Sequence, residues 1–442
     1  MTLKLNLKEV YYMKNIDMKY GDTHITFPID ENNIVQIIES NPFNLGKTED
    51  EIILDSLANP INSPKLKDIV HSGEKICIVI SDVTRAWQRP YKFLSAIVGE
   101  LNNADIPDKD IIFLSATGTH RKQTEEEHEN LLGAELHKRF DVIDHDCLDK
   151  DNLVYLGETS YGTPVWINKI AMKCDHIVIT GSIVYHLLAG WSGGKKSILP
   201  GISGYDTIMS NHALSLGENI GDGSNPLVRS GSIANNPVHN DMLEATAFVK
   251  PSFMFNVIMG SNGNIAAAVS GDYLEAHAVG RDLVNKIDGV KIHRKADLVI
   301  GSAGGYPKDI NLYQSSKTLI NMNEAAKDGA ALILISQCRE GLGGDSDIKD
   351  IILNYDNILD REKSLRERYS ISKFIGYYIC ELAEKYDLIM VSDIDENLVK
   401  NANIKVVSTI DEALNIVYEK KGKNLETILM PKGANTLPIL GN

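Results

Sequence analysis

Short apolar runs set the first pattern along this chain. They are Ile76–Ile80, Ile111–Leu114, His176–Thr180, Leu298–Ile300, Ala331–Ile335 and Leu388–Val391. Runs this short, ending in polar or glycine-containing segments, predict buried strands rather than helices. Tyr91–Asn102, Thr124–Leu132, Ser316–Ala326 and Ile375–Lys385 read as helices between them. Strands alternating with helices predict an α/β protein with mainly parallel sheets. The stretch 271–291 reads as a helical connector, and a fresh strand begins near Ala296. The expected division is two α/β domains, 1–275 and 276–442, with an active-site cleft between them.

The unusual residues follow the strands. Ser81-Asp-Val-Thr-Arg85, Ala116-Thr-Gly-Thr-His-Arg121, Gly181 to His186 and Gly301-Ser-Ala-Gly-Gly305 each lie at or just beyond one. In open α/β sheets ligands bind outside the carboxyl ends of strands. All four segments are therefore expected to line one cleft.

Composition narrows the classes. A formal net charge of −15 on 442 residues argues against a broad basic face for nucleic acid, while leaving room for a local basic pocket for a small anion. The five cysteines, Cys77, Cys147, Cys174, Cys338 and Cys380, are scattered and form no CxxC pair, which argues against a zinc ribbon or a disulfide framework. No signal-peptide core or membrane-length apolar run is found, so a cytoplasmic, non-membrane protein is expected.

The densest chemistry is His186-Leu-Leu-Ala-Gly-Trp-Ser-Gly-Gly-Lys-Lys-Ser-Ile-Leu-Pro-Gly201, followed by His212. Its glycine-lysine turn looks like a phosphate loop. It misses the Walker A pattern, because two lysines follow Gly194 and Ala189 replaces the leading glycine. Phosphate binding by backbone amides stays open, and ATP hydrolysis is disfavoured. His212 has no second ligand nearby in sequence, and a lone histidine is more often structural. A metal at His212 needs ligands from elsewhere, a cofactor included.

The other motifs each have a plain alternative. Asp82 and Arg85 suit substrate-carboxylate binding, but also a helix cap and a solvated arginine. His120 suits acid–base work at a strand end, and equally a hydrogen-bonded loop. Gln314 and Lys317 share a helix face and can reach one anion, or simply form a solvated first turn. His128, His137 and His145 lie among polar residues and are expected at the surface.

Together these segments resemble the nickel-dependent lactate racemase family of 2-hydroxyacid racemases and epimerases. The motifs span roughly residues 75 to 320, in matching order and spacing. The resemblance implies nickel held in a pyridinium-3,5-bisthiocarboxylic acid mononucleotide, a pincer cofactor joined covalently to Lys196. It implies His212 as the nickel ligand and His120 and His186 as the catalytic pair. Arg85, Tyr313, Gln314 and Lys317 would bind substrate, with Asp82 and Thr84 supporting the cofactor or Arg85. The implied chemistry removes the hydroxyl proton and moves hydride from C2 to the cofactor. Hydride then returns to the other face of a 2-keto acid.

The implied partners are a small 2-hydroxy acid and the enzymes of cofactor maturation and nickel insertion. The second domain holds no tryptophan, the only ones being Trp87, Trp166 and Trp191, so substrate identity stays open. Lactate leads, with malate, a longer aliphatic hydroxy acid or a sugar acid as alternatives. Two other classes compete. A nicotinamide-dependent dehydrogenase would need a GxGxxG turn, which Gly301–Gly305 only partly imitates. A small-anion binding protein on the same fold would dispense with Lys196 and the histidines, all of which are present.

Overall fold

The computed structural model describes residues 12–441. The described chain divides into two compact units. One runs from Asn41 to Ile287. The other joins the described residues up to Ser40 with those from Asp288 onward.

The Asn41–Ile287 unit is built on a six-stranded sheet. Its strands are β1 (Ile76–Ser81), β2 (Ile111–Ala116), β3 (Val142–Asp144), β4 (His176–Ser182), β5 (Phe253–Met259) and β6 (Ile265–Gly271). Their spatial order is β6-β5-β4-β1-β2-β3, parallel except for the last hairpin, β5–β6. The order reverses between β1 and β4, where Ile76 lies between Ile111 and His176. Such a reversal opens a crevice at the carboxyl ends of the two strands. The helix Pro90–Asn102 begins on a proline and buries Phe93, Leu94, Ile97, Val98 and Leu101. That stripe packs with Ile76, Ile78 and Ile80 of β1 in one core.

The second unit has a six-stranded, wholly parallel sheet. Its order is Lys405–Val407, Asp387–Val391, Ala326–Ile335, Ala296–Ser302, Thr427–Met430 and Ile34–Ile37. Continuous apolar runs such as Ala331–Ile335 are the signature of strands covered on both faces.

The division differs from the one the sequence suggests. The helix Glu275–Asp288 lies almost wholly in the first unit and buries Ala276, His277, Gly280, Val284 and Ile287. The chain passes to the second unit at 287/288 rather than near 275. The N-terminal segment also belongs to that unit. Ile34–Ile37 pairs with Thr427–Met430, and Ile16, Met18, Phe27 and Ile29 of the hairpin Met13–Asp30 enter its core. Their period-two burial is the signal of a half-covered hairpin.

Candidate active site

Three turns of the first unit carry the chemistry. The first follows β1. Asp82 caps the 3₁₀ turn Val83–Gln88, accepting from the backbone N–H of Thr84 at 3.0 Å and from the Thr84 hydroxyl. Its other oxygen pairs with Nδ1 of His120, which the turn after β2 supplies. Arg85 donates to the Thr84 hydroxyl at 3.0 Å. Burial alone would raise the Asp82 carboxyl, but His120, Thr84 and Arg85 outweigh it and hold it below the usual carboxylate range.

The third turn follows β4 and contains the lysines. Gly193 and Gly194 have φ of 73° and 52°, a left-handed conformation that favours glycine. A Cβ at Gly193 would stand 2.5 Å from the Asn256 side-chain oxygen, which accepts from the Gly194 N–H at 2.8 Å. Asn256, on β5, thus fixes the turn. The turn brings the Lys196 amine to 3.1 Å from Nε2 of His186. Nδ1 of His186 accepts from the backbone N–H of Leu188 at 3.2 Å and of Ala189 at 3.3 Å. The ring proton therefore sits on Nε2 and points at Lys196. Only a neutral amine offers that proton a lone pair. Burial and the Arg85 charge agree, lowering Lys196 to about 7. Burial, then Lys196, His212 and Arg85, push His186 well below the usual histidine range. Both side chains keep some accessible surface, so solvent reaches the recess they line.

His212 lies on the helix Tyr205–Ala213 and is 2% exposed. Its Nδ1–H donates to the Ile208 carbonyl one turn back at 2.9 Å. Nε2 is left with a bare lone pair, the state a metal requires. Burial and the Lys196 charge lower it to about 3, so it stays neutral.

These seven residues, Asp82, Thr84, Arg85, His120, His186, Lys196 and His212, are joined by hydrogen bonds or by mutual fields within one unit. Tyr313, Gln314 and Lys317 belong to the other unit, on the helix Leu312–Ala325 capped by Asn311. There Lys317 donates to the Gln314 side-chain oxygen at 2.9 Å. Gln314 and Lys317 share a face, as their spacing predicts.

Two histidines correct the sequence reading. His128 and His145 are buried, not at the surface. His128 shares the inner face of its helix with Leu131, Leu132 and Leu136 and pairs with Asp144 at 3.0 Å. His145 holds the Ser203 carbonyl at 2.8 Å and Asn168 at 3.0 Å. His137 keeps a quarter of its side chain exposed. Sequence reasoning also missed Asn256, which no motif marks.

The residues fit a tethered metal cofactor. Among the described residues no three His, Cys, Asp or Glu side chains converge to hold a metal ion. A single bare imidazole beside a neutral, nucleophilic lysine suits a group that brings its own remaining ligands.

Residues 20–223 match the lactate racemase N-terminal domain and residues 291–437 the lactate racemase C-terminal domain. The lactate racemase of Lactiplantibacillus plantarum is 31% identical over 436 residues, covering 96% of this chain and 100% of that one. That of Thermoanaerobacterium thermosaccharolyticum is 30% identical over 437 residues, covering 96% and 99%. The solved lactate racemase apoprotein from the latter organism superposes with a TM-score of 0.87 at 30% identity, over 97% of this chain and 100% of that one. A Thermotoga maritima protein at 17% identity shares the fold with a TM-score of 0.64, over 91% and 100%. The molecule is an isomerase of the racemase class. The chain belongs to the lactate racemase family.

Proposed function

We propose that this protein racemises a 2-hydroxy acid, lactate first, with a nickel pincer nucleotide tethered to Lys196. The observation that carries the reading is the neutral Lys196 amine beside His186, with the bare Nε2 of His212 in the same recess. When bound, the group would take hydride from C2 of the hydroxy acid and return it to either face.

The chain's own residues do the rest. Asp82 holds Nδ1 of His120, which turns the Nε2 edge of that ring to the substrate hydroxyl. His186 is the proposed proton partner for the other enantiomer. Its Nε2–H now donates to the Lys196 amine. A cofactor held through that amine would take away this acceptor and leave Nε2 free to face substrate. Arg85 is the proposed clamp for the substrate carboxylate, its guanidinium steadied by Thr84. Lys317, Gln314 and Tyr313 are the further proposed substrate-binding residues. His212 would ligate the metal.

The reading includes a cytoplasmic setting and dependence on enzymes that make the nucleotide and insert nickel. Malate, a longer aliphatic hydroxy acid and a sugar acid are the alternative substrates. The test is a chiral assay of the cofactor-loaded protein across these acids, with peptide mass analysis at Lys196. Racemisation of lactate with a mass increase on Lys196 is expected. An active protein with unmodified Lys196 overturns the proposal.

A further inference from the structure

The glycine turn directs its two lysines into different surroundings. Lys196 faces His186, whereas Lys195 is enclosed by other groups and is 2% exposed. Among the described residues its amine has one hydrogen bond, to the Trp191 carbonyl at a long 3.4 Å. Three further nitrogen-bearing side chains gather there. His277 donates from Nε2 to the Ser192 carbonyl at 2.8 Å, and its Nδ1 accepts from the Arg281 guanidinium at 3.4 Å. His239 reaches the Ala189 carbonyl at 3.4 Å. The Arg281 guanidinium lies 5.7 Å from the centre of the Trp191 ring. Trp191 is itself 5% exposed, and its indole N–H is buried without any acceptor.

The cluster is one-sided. It offers the Lys195 amine, a guanidinium and an indole N–H. Among the described residues no carboxylate lies in ion-pair range of Lys195 or Arg281. The acids that act on Arg281 are Asp282 and Glu275, both exposed on its own helix. Burial and mutual repulsion depress Lys195, His239 and His277 together. A buried donor with no acceptor, here the Trp191 indole N–H, is costly and rare and calls for an explanation. An anion supplies that missing acceptor and a countercharge that would keep Lys195 protonated.

We propose that Lys195, Arg281 and the Trp191 indole form an anion site for a phosphate group, separate from the Lys196 recess. A guanidinium fork and an ammonium suit an oxyanion with several oxygens and two charges better than a monoanionic carboxylate. The phosphate has two sources of the same chemistry: inorganic phosphate, or the phosphate of a bound nucleotide.

The test uses the full-length, cofactor-free protein titrated with inorganic phosphate against chloride at equal ionic strength. Intrinsic tryptophan fluorescence, compared with that of Trp191→Phe, and melting temperature are the readouts. Saturable binding is expected, weakened ~10-fold or more in Lys195→Met and in Arg281→Gln, and retained in Lys196→Ala. Arg281 is only half-buried, so its variant keeps the question open to measurement if Lys195→Met fails to fold. No saturable response in the wild type overturns the proposal. So does binding unchanged in both variants, or lost in Lys196→Ala. A second titration, of cofactor-loaded protein, separates the sources. Continued phosphate binding assigns the site to inorganic phosphate, and its loss assigns it to the nucleotide. Only that arm rests on the proposed function.

Discussion

Nδ1 of His120 meets a carboxylate oxygen of Asp82 across a steep gradient of exposure. The Asp82 side chain is 5% exposed and the His120 side chain 48%. A buried, ionised carboxylate therefore holds the inner edge of a ring whose outer edge faces water. This arrangement selects the tautomer with its lone pair outward, as a general base requires. In the proposed mechanism Asp82 acts through His120, as a positioning residue.

Asp82→Asn is expected to keep the fold and lower kcat by ~10²- to 10⁴-fold, since an amide can favour the wrong tautomer. The enantiomers of lactate are equal in energy, so kcat/KM must fall equally in both directions. Steady-state kinetics in both directions check this. His120→Ala should abolish turnover with nickel still bound, measured as metal per protein.

The fold was largely legible in the sequence. All six strand runs became strands of the two sheets, because buried parallel strands read as unbroken apolar segments. The N-terminal hairpin and the Ile34–Ile37 strand were not legible as part of the second unit, because their partners lie far along the chain. His186, Lys196 and His212 stood out because their residue types are rare together. The hold of Asp82 on His120 crosses between two strand ends and leaves no local spacing to read. His128 could have been found, since it repeats with Leu131, Leu132 and Leu136 at helical spacing.

The Lys196 amine carries a stability cost with a definite sign. Its value falls from 10.5 to about 7 on folding, so between these values the unfolded chain binds more protons. The cost is full below pH ~7 and fades as pH rises towards the ordinary lysine range. Lys196→Met removes it. The variant is expected to melt above the wild type at pH 7, with an advantage that shrinks by pH 9. Melting curves across that range decide it, and an advantage that grows with pH contradicts the assignment.

His186 makes a tautomer prediction. In the cofactor-free protein its Nδ1 accepts two backbone N–H groups, so the proton is on Nε2. A base acting through Nε2 needs the opposite tautomer. Loading of the cofactor should therefore move the proton and break those two contacts. Nitrogen chemical shifts of His186 before and after loading report it. A ring unchanged by loading would restrict His186 to hydrogen-bond donation.

Substrate anchoring separates by residue. Arg85→Ala is expected to lower kcat/KM by ~10²-fold or more, because the proposed contact to the substrate carboxylate would be lost. Lys317→Ala should act mainly on KM, with Gln314→Ala weaker, since Gln314 orients the lysine amine. Unchanged KM in both Arg85→Ala and Lys317→Ala would remove them from the substrate site.

Arg361 makes the last prediction, one of stability alone. It is 1% exposed on the helix Ile358–Glu367. Its guanidinium donates to the carbonyls of Ile351 at 3.0 Å, Ile352 at 3.3 Å and Tyr355 at 2.6 Å, and to that of Asn401. One side chain thus satisfies the ends of two segments that the backbone leaves unpaired. Methionine would fill much of the volume and supply none of the donors. The four carbonyls would then be buried without partners, a loss of about 3 kcal/mol or more. Urea unfolding of Arg361→Met should show an earlier transition for the unit that contains it. Activity at low temperature should stay near the wild-type level, because no proposed site residue touches Arg361.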